Sequence, residues 1–593
     1  MYLSAFVLDI KQYTISQKDV SMQKFKNQLA AAISDAVCKT AGDNVCGAED
    51  ICAMLEYPPD PTMGDIALPC FRFSKLLRKA PPVIAAALAE DAGIKNVDGV
   101  GSVNVSGGYL NFRISDGYYE KNVIPEILEK GADYGRSDIG KGKTVVLDYS
   151  SPNVAKPFHI GHLGTTVIGH SLKKLHEFCG YNCVGINHLG DWGTQFGKLI
   201  VAYRKWGSEK EVEKDGIDGL VGLYVRFHEE ADKDPSLNDL ARAEFAKLEH
   251  HDPDNIKLWK WFIELSLAEY KKTYDQLGIT FDSYNGESFY TDKMPEQVEK
   301  LRSMGLLKLD DGASVVDLSE YDMPVCLILK RDGSTLYPTR DIAAAVYRKR
   351  TYNFDKCIYV TSSQQSLHFA QWFKVVELMG YDWYDELVHV PYGTVSIDGV
   401  KLSTRHGNVV LLRDVFEAAI EKVTKVIDEK NPGLENKKET AEAVGVGAIV
   451  FYYLMNNRIK DISFRMDDAL SFDGNTGPYV QYTYARTCSL LEKSAEVCGD
   501  RIKITSSYEA ELAKVLSQFS ETVLRAVAEY EPSVITRYIL AVSTAFNRFY
   551  HECPILSAED EDVRNTRTAL TKATNTVLHS ALPLICLKTP EKI

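Results

Sequence analysis

Near residue 144 the hydrophobic pattern of the chain changes period within a few residues. Thr144-Val-Val-Leu-Asp148-Tyr-Ser alternates and is rich in β-branched side chains, which predicts a buried strand. After a loop containing proline and glycine, Leu163, Val167, Ile168, Leu172, Leu175 and Phe178 recur at helical spacing. Strand, loop and helix in this order form the first unit of a doubly wound sheet, which binds ligands outside the carboxyl ends of its strands. Residues 183–187 read as the second strand, and residues 325–329 and 356–360 as later ones. Between these, Tyr337-Pro-Thr-Arg340-Asp341 opens a helix. Residues 200–280 are helical and charged, with Leu258, Trp261, Phe262, Leu265 and Ala268 on one apolar face that reads as core.

The flanks differ from this middle part. Residues 21–36 predict a helix, 58–65 a loop, and 67–92 a largely helical stretch broken at Pro81-Pro82. Residues 103–114 alternate as strands around Gly107-Gly108. From Val409 to the end the pattern is helical, with Gly474-Asn-Thr-Gly477-Pro as a hinge into the last helical part. The expected architecture is therefore α/β with three parts. These are an N-terminal extension plus α/β module (1–140), a catalytic domain on a parallel Rossmann-like sheet with a helical insertion (141–410), and an all-α C-terminal domain (411–593).

Composition narrows the class. A chain of 593 residues holds about three or four domains. Its 45% apolar and 25% charged residues are those of an ordinary globular protein. With 82 acidic against 68 basic residues it is no general nucleic-acid binder, although a local basic face reading one folded RNA is compatible with that balance. Twelve cysteines without a C-x-x-C pair read as reduced thiols of a cytoplasmic protein, and no metal-ligand set is expected. The longest apolar run, 443–455, is too short for a bilayer, so no membrane association is expected. Residues 1–10 lack the basic flank and cleavage site of a secretory signal. The first twenty residues contain no arginine and include Asp9 and Asp19, which argues against a mitochondrial presequence.

The chemistry concentrates in Ser151-Pro-Asn153-Val-Ala-Lys156-Pro-Phe-His159-Ile-Gly161-His162. Two imidazoles at a helix N-terminus, around a glycine that permits close approach, form an anion site, and Lys156 adds a cation. An H-x-x-H pair alone is more often surface decoration or half a metal site. Here no cysteine, carboxylate or third histidine follows at ligand spacing. The stretch resembles the HIGH signature of class I aminoacyl-tRNA synthetases, and the longer string resembles the arginyl-tRNA synthetase family. Val395-Ser-Ile-Asp-Gly-Val-Lys401-Leu-Ser403-Thr404-Arg405-His-Gly407-Asn408 is similar to the KMSKS loop of that class. Thr404 replaces the loop's second lysine, and the resemblance implies that Lys156 supplies the missing charge. Departures are Leu163-Gly164-Thr165 where Leu-Arg-Ser is common, and His406 where lysine is usual. The resemblance spans nearly all of residues 22–593.

That resemblance implies activation of L-arginine with ATP and Mg²⁺, followed by transfer to tRNA(Arg). His159, Gly161, His162 and Lys401 are implied at ATP, and Lys156, Ser403 and Arg405 join His159, His162 and Lys401 in the chemistry. Guanidinium offers five planar donors and stays charged, so it calls for carboxylates. Asp148, Asn153, Glu287, Tyr337, Asp341 and Gln365 align with the family's arginine pocket. Glu287 and Asp341 are expected at the guanidinium, and Asn153 and Gln365 at the α-amino and carboxylate groups. On the RNA side the expectations are Tyr109 and Asn111 in the N-terminal module and Tyr482, Tyr484, Arg486 and Ile593 in the C-terminal domain. Packing is as ready an explanation for the three tyrosines. A monomer is expected. The rivals are a class I relative for cysteine or glutamate, which would show zinc ligands or a basic pocket, and a non-catalytic synthetase-like tRNA-binding or scaffold protein.

Overall fold

The computed structural model describes residues 20–41, 46–60, 62–397, 400–401, 410–472 and 474–593. At its centre lies a four-stranded sheet in the order Leu387–Tyr392, Lys356–Ser362, Thr144–Asp148, Asn182–Ile186, with every neighbouring pair parallel. Val145, Val146 and Leu147 are fully buried on the central strand. Burying each such side chain is worth roughly 1.5–3 kcal/mol. A slip of one residue would turn them to the opposite face, so packing sets the register that leaves Asp148 at the strand's carboxyl end. The Leu163–Phe178 helix follows, with Leu163, Val167, Ile168, Leu172, Leu175 and Phe178 all buried.

The N-terminal module is a three-stranded antiparallel sheet, in the order Ile66–Pro69, Tyr109–Ile114, Val100–Ser106. The Ser21–Ala41 helix buries Phe25, Leu29, Ile33 and Val37 in the same core as Ile66, Leu68, Leu110 and Phe112 of this sheet. One expectation is corrected here: residues 66–69 form a strand in the stretch read as helical. The break at Pro81-Pro82 is present, with one helix ending at Leu77 and the next starting at Pro81. Proline is at home in a first turn, where its missing N–H has no partner to lose. The module is pinned to the C-terminal helices by Lys26–Glu521 at 2.8 Å and Lys514–Asp65 at 2.6 Å.

Strand Cys326–Leu329 belongs to a separate antiparallel sheet with Leu307–Asp310 and Ala313–Val316, outside the parallel one. The C-terminal region is helical except for Ile462–Phe464, a short strand that pairs with Val395–Ile397. The sequence missed it because three residues carry no readable period. The apolar run near 450 is the core of the Lys437–Leu454 helix, and no helix among the described residues is long and apolar enough to cross a membrane.

Candidate active site

The loop after the central strand is held in an unfavourable conformation. Ser150, Ser151 and Ala155 have φ of 72°, 45° and 58°, values that persist only where surrounding contacts over-determine them. Those contacts are hydroxyls from the Leu163–Phe178 helix and from the Pro253–Leu277 helix. Ser150 N–H donates to Thr165 Oγ1 at 3.0 Å, and Thr165 Oγ1 in turn donates to the Val360 carbonyl at 2.7 Å. Ser150 Oγ lies 2.8 Å from both Thr166 Oγ1 and Tyr274 Oη. Tyr270 Oη donates to the carbonyls of Asn153 and Lys156, each at 2.7 Å, and so sets the path of the loop into the histidines.

His159 caps the turn that starts the helix. Its Nδ1 accepts from Gly161 N–H at 3.0 Å, while its own N–H donates to His162 Nδ1 at 3.1 Å. Gly161 is required for this, since a Cβ there would sit 2.8 Å from the His159 ring. Burial, reinforced by Lys156, lowers the His159 pKa to about 4; burial and then His159 lower that of His162 to about 3. Both rings are neutral near pH 7. With both Nδ1 atoms accepting, both must carry their proton on Nε2. The site therefore offers two neutral N–H donors beside a helix N-terminus, an arrangement suited to phosphoryl oxygens.

The chain just after the second signature joins this turn through its backbone. Ile160 N–H donates to the Val410 carbonyl at 3.2 Å, and Leu412 N–H to the Phe158 carbonyl at 3.0 Å. Residues 410–412 thus lie directly against the histidine turn. Lys401 pairs through its backbone with Ser396 in the other stem. Ser403 and Arg405 fall outside the described residues.

Each carboxylate expected to receive guanidinium already has a partner. Glu287 Oε2 is 2.7 Å from Arg340 Nη1, and Asp341 Oδ2 is 2.6 Å from His368 Nε2. Asp148 spends Oδ2 on the fully buried Arg348 at 2.7 Å and Oδ1 on the Ser151 hydroxyl at 2.9 Å. Asp148 thus serves as the counter-ion of Arg348, with both of its oxygens engaged. Glu287 and Asp341 sit nearer the open side. Tyr337 and Asp341 lie one turn apart on the Tyr337–Tyr352 helix, on one face. Tyr337 is 66% exposed, and Asn153 and Gln365 are exposed as well.

Residues that sequence reasoning left unassigned hold this pocket. Glu287 N–H donates to the Leu189 carbonyl at 2.9 Å. Asp191 accepts from Ser288 N–H at 2.8 Å and from its hydroxyl at 2.6 Å. Asp191, Arg340, Arg348 and His368 carry no motif spacing. A hint lay in the strings around 188–197 and 337–341, which place acids and an arginine beside strand and helix ends.

The RNA-side expectations divide. Tyr109 is exposed and meets the exposed Phe71 edge-on at 5.3 Å. Asn111 is buried within the sheet. Tyr482 is exposed, and Arg486 lies 5.0 Å from its ring and 4.8 Å from that of Tyr550. Tyr484 is buried, with its hydroxyl 3.1 Å from His579 Nδ1. Ile593 is tied down. Asn431 Nδ2 donates to its carbonyl at 3.4 Å, beside an open cleft of about 760 Å³ lined by Asn431, Glu439, Thr589 and Lys592.

Comparison with known proteins agrees with this geometry. The family model of the class I (R) tRNA synthetase catalytic domain matches residues 123–466. Those of the arginyl tRNA synthetase N terminal domain and the DALR anticodon binding domain match 23–114 and 480–593. The arginine–tRNA ligase of Alkaliphilus metalliredigens is 52% identical, covering 92% of this chain and 97% of its own. That of Halothermothrix orenii is 50% identical, covering 96% and 100%. The solved Thermus thermophilus arginyl-tRNA synthetase superposes with a TM-score of 0.78 at 25% identity, covering 95% of this chain and 99% of that one. The Plasmodium falciparum arginyl-tRNA synthetase shares the fold, with a TM-score of 0.77 at 24% identity and 95% and 98% coverage. By the catalytic-domain match and these relatives, the chain belongs to the arginyl-tRNA synthetase family of class I aminoacyl-tRNA synthetases.

Proposed function

We propose that this chain joins L-arginine to tRNA(Arg) at the expense of ATP. An oxygen of the arginine carboxylate attacks the α-phosphorus, the bond to the β-phosphate bridge breaks, and pyrophosphate leaves. The terminal ribose hydroxyl of the tRNA then attacks the carbonyl carbon of the adenylate. AMP leaves and the hydroxyl proton is lost. In the first step charge spreads over phosphoryl oxygens, so positioning and fixed donors carry the catalysis. His159 and His162 supply two such donors around Gly161, and Lys156 and Lys401 neutralise the departing pyrophosphate, with Ser403 and Arg405 holding the loop. Mg²⁺ enters as the ion of the ATP phosphates. No cluster of three or more ligating side chains occurs among the described residues, and an ion carried by phosphates and water needs none.

Glu287 and Asp341 receive the guanidinium at the rim of Tyr337, while Asn153 and Gln365 hold the α-amino and carboxylate groups. Tyr109, Tyr482, Arg486 and Ile593 face the tRNA. The division 1–140, 141–410 and 411–593 is our working assignment of RNA elbow, chemistry and anticodon. Twelve cysteines spaced without a C-x-x-C pair support a reducing, cytoplasmic location, and we take the protein to act as a monomer.

The observation that carries the reading is the pair of neutral Nε2–H donors on the same sheet end as Glu287 and Asp341. The test is ATP–pyrophosphate exchange with and without tRNA. Exchange that requires arginine, and is not supported by citrulline or lysine, is expected. Exchange indifferent to arginine, or none under any condition, would overturn it.

A further inference from the structure

Glu287 and Arg340 belong to different elements and meet inside the pocket. The acid opens the Glu287–Lys293 segment and the base lies in the first turn of the Tyr337–Tyr352 helix. Their side chains are 17% and 12% exposed, with Oε2 and Nη1 2.7 Å apart. The acid's main chain is already immobilised by Leu189 and, through Ser288, by Asp191. What remains to be set is the carboxylate itself. Arg340 does this while leaving its own Nε buried and without a hydrogen-bond partner, a loss that a residue placed merely for packing would not incur.

Charge points the same way. The groups facing Glu287 are Arg340, Asp191 and Asp341. Asp341 also contacts His368, and the only full cation of the set is Arg340. Three acids against one guanidinium leave room for a second guanidinium, that of the substrate. Burial raises the Glu287 pKa to about 7; Arg340 pulls it down, whereas Asp191 and Asp341 push it up. Without Arg340 the carboxyl would be largely protonated near neutrality and would no longer attract a cation.

We propose that Arg340 is a positioning residue for substrate recognition, a built-in counter-ion that holds one oxygen of Glu287 so that the other faces the guanidinium of free arginine. The proposal rests on the assignment of Glu287 to the substrate guanidinium. It differs from a simple tie between two elements, and from a resident competitor that arginine must displace.

The test compares Arg340→Gln, Arg340→Lys and Glu287→Gln in arginine-dependent pyrophosphate exchange with cognate tRNA present, from pH 6 to 9. KM for arginine and for ATP are measured separately. Arg340→Gln is expected to raise KM for arginine by roughly tenfold for each unit that the pH lies below the new titration point of Glu287. The loss recovers as pH rises, KM for ATP is unchanged, and Arg340→Lys restores most of the affinity. A lower KM for arginine in Arg340→Gln would establish the competitor and overturn the proposal. A pH-independent loss affecting both substrates would reduce Arg340 to a tie. Wild-type arginine affinity in Glu287→Gln would instead remove the underlying assignment, whatever Arg340 does.

Discussion

The imidazoles of His159 and His162 stand 3.9 Å apart, centre to centre, and the Nδ1 of each accepts a backbone N–H. This fixes their useful protons on Nε2 and makes the two possible amide replacements unequal. Glutamine places an amide N–H near the ε position, whereas asparagine reproduces only the δ acceptor. His159→Gln is therefore expected to keep much more of the activation rate than His159→Asn. Loss of one preorganised donor should cost the latter about 10²–10³-fold. Single-turnover adenylate formation is the measurement, and equal rates for the two variants would refute the tautomer assignment.

Buried histidines should also shape acid stability. Burial lowers His159, His176 and His389 to about 4, and His162 and His170 to about 3. For a group whose folded pKa is depressed, the unfolded chain takes up the proton first. Stability is then fully present above the unfolded value near 6.5 and is lost as pH falls toward 4 and 3. The melting temperature should drop steeply through that window. His176, which does not touch the site, is the cleanest probe. His176→Met should remove about 2 kcal/mol of the acid-dependent loss at pH 5, read from denaturant unfolding at pH 5 and 7.

Lys156 faces the histidines from a loop held by Tyr270 through its carbonyl at 2.7 Å. If its charge replaces the lysine that Thr404 lacks, Lys156→Ala should lower the activation rate far more than ATP affinity. Equal losses in both would make it a ground-state binder, and wild-type rates would end the idea of compensation.

On the helical domain, exposure separates two tyrosines that the sequence leaves alike. Tyr482→Ala should weaken tRNA binding by about 1–3 kcal/mol, the range of one lost base stack, with little change in melting temperature. Tyr484→Ala should do the reverse, because its ring is buried and hydrogen-bonded to His579. Filter binding alongside thermal melts would distinguish them. Deleting residues 590–593 should lower tRNA affinity while arginine and ATP still bind; unchanged RNA affinity would exclude the terminus from that surface.

The strand, loop and helix around residue 151 were legible because local period and turn chemistry agree there. So were the two signatures, since both are contiguous strings. What escaped were partners distant in sequence. Arg348 reaches Asp148 across 200 positions, and Arg340 reaches Glu287 from another element. Nothing in local patterning marks such pairs. Likewise Asn111 and Tyr484 looked available because alternation and helical spacing say which face a residue shares. They do not say what covers that face.

Gly164 stands where the resemblance to the family's signature calls for arginine. A Cβ added there would overlap the Tyr453 hydroxyl and approach the Tyr392 ring to 3.3 Å. Tyr453 is itself buried, in the helix running from Lys437 to Leu454. The two positions therefore behave as one heritable unit. A side chain at 164 is blocked while Tyr453 remains, and trimming Tyr453 first leaves a cavity until position 164 fills it. Exchanging glycine for a larger residue at 164 thus crosses a destabilised intermediate whichever of the two substitutions comes first.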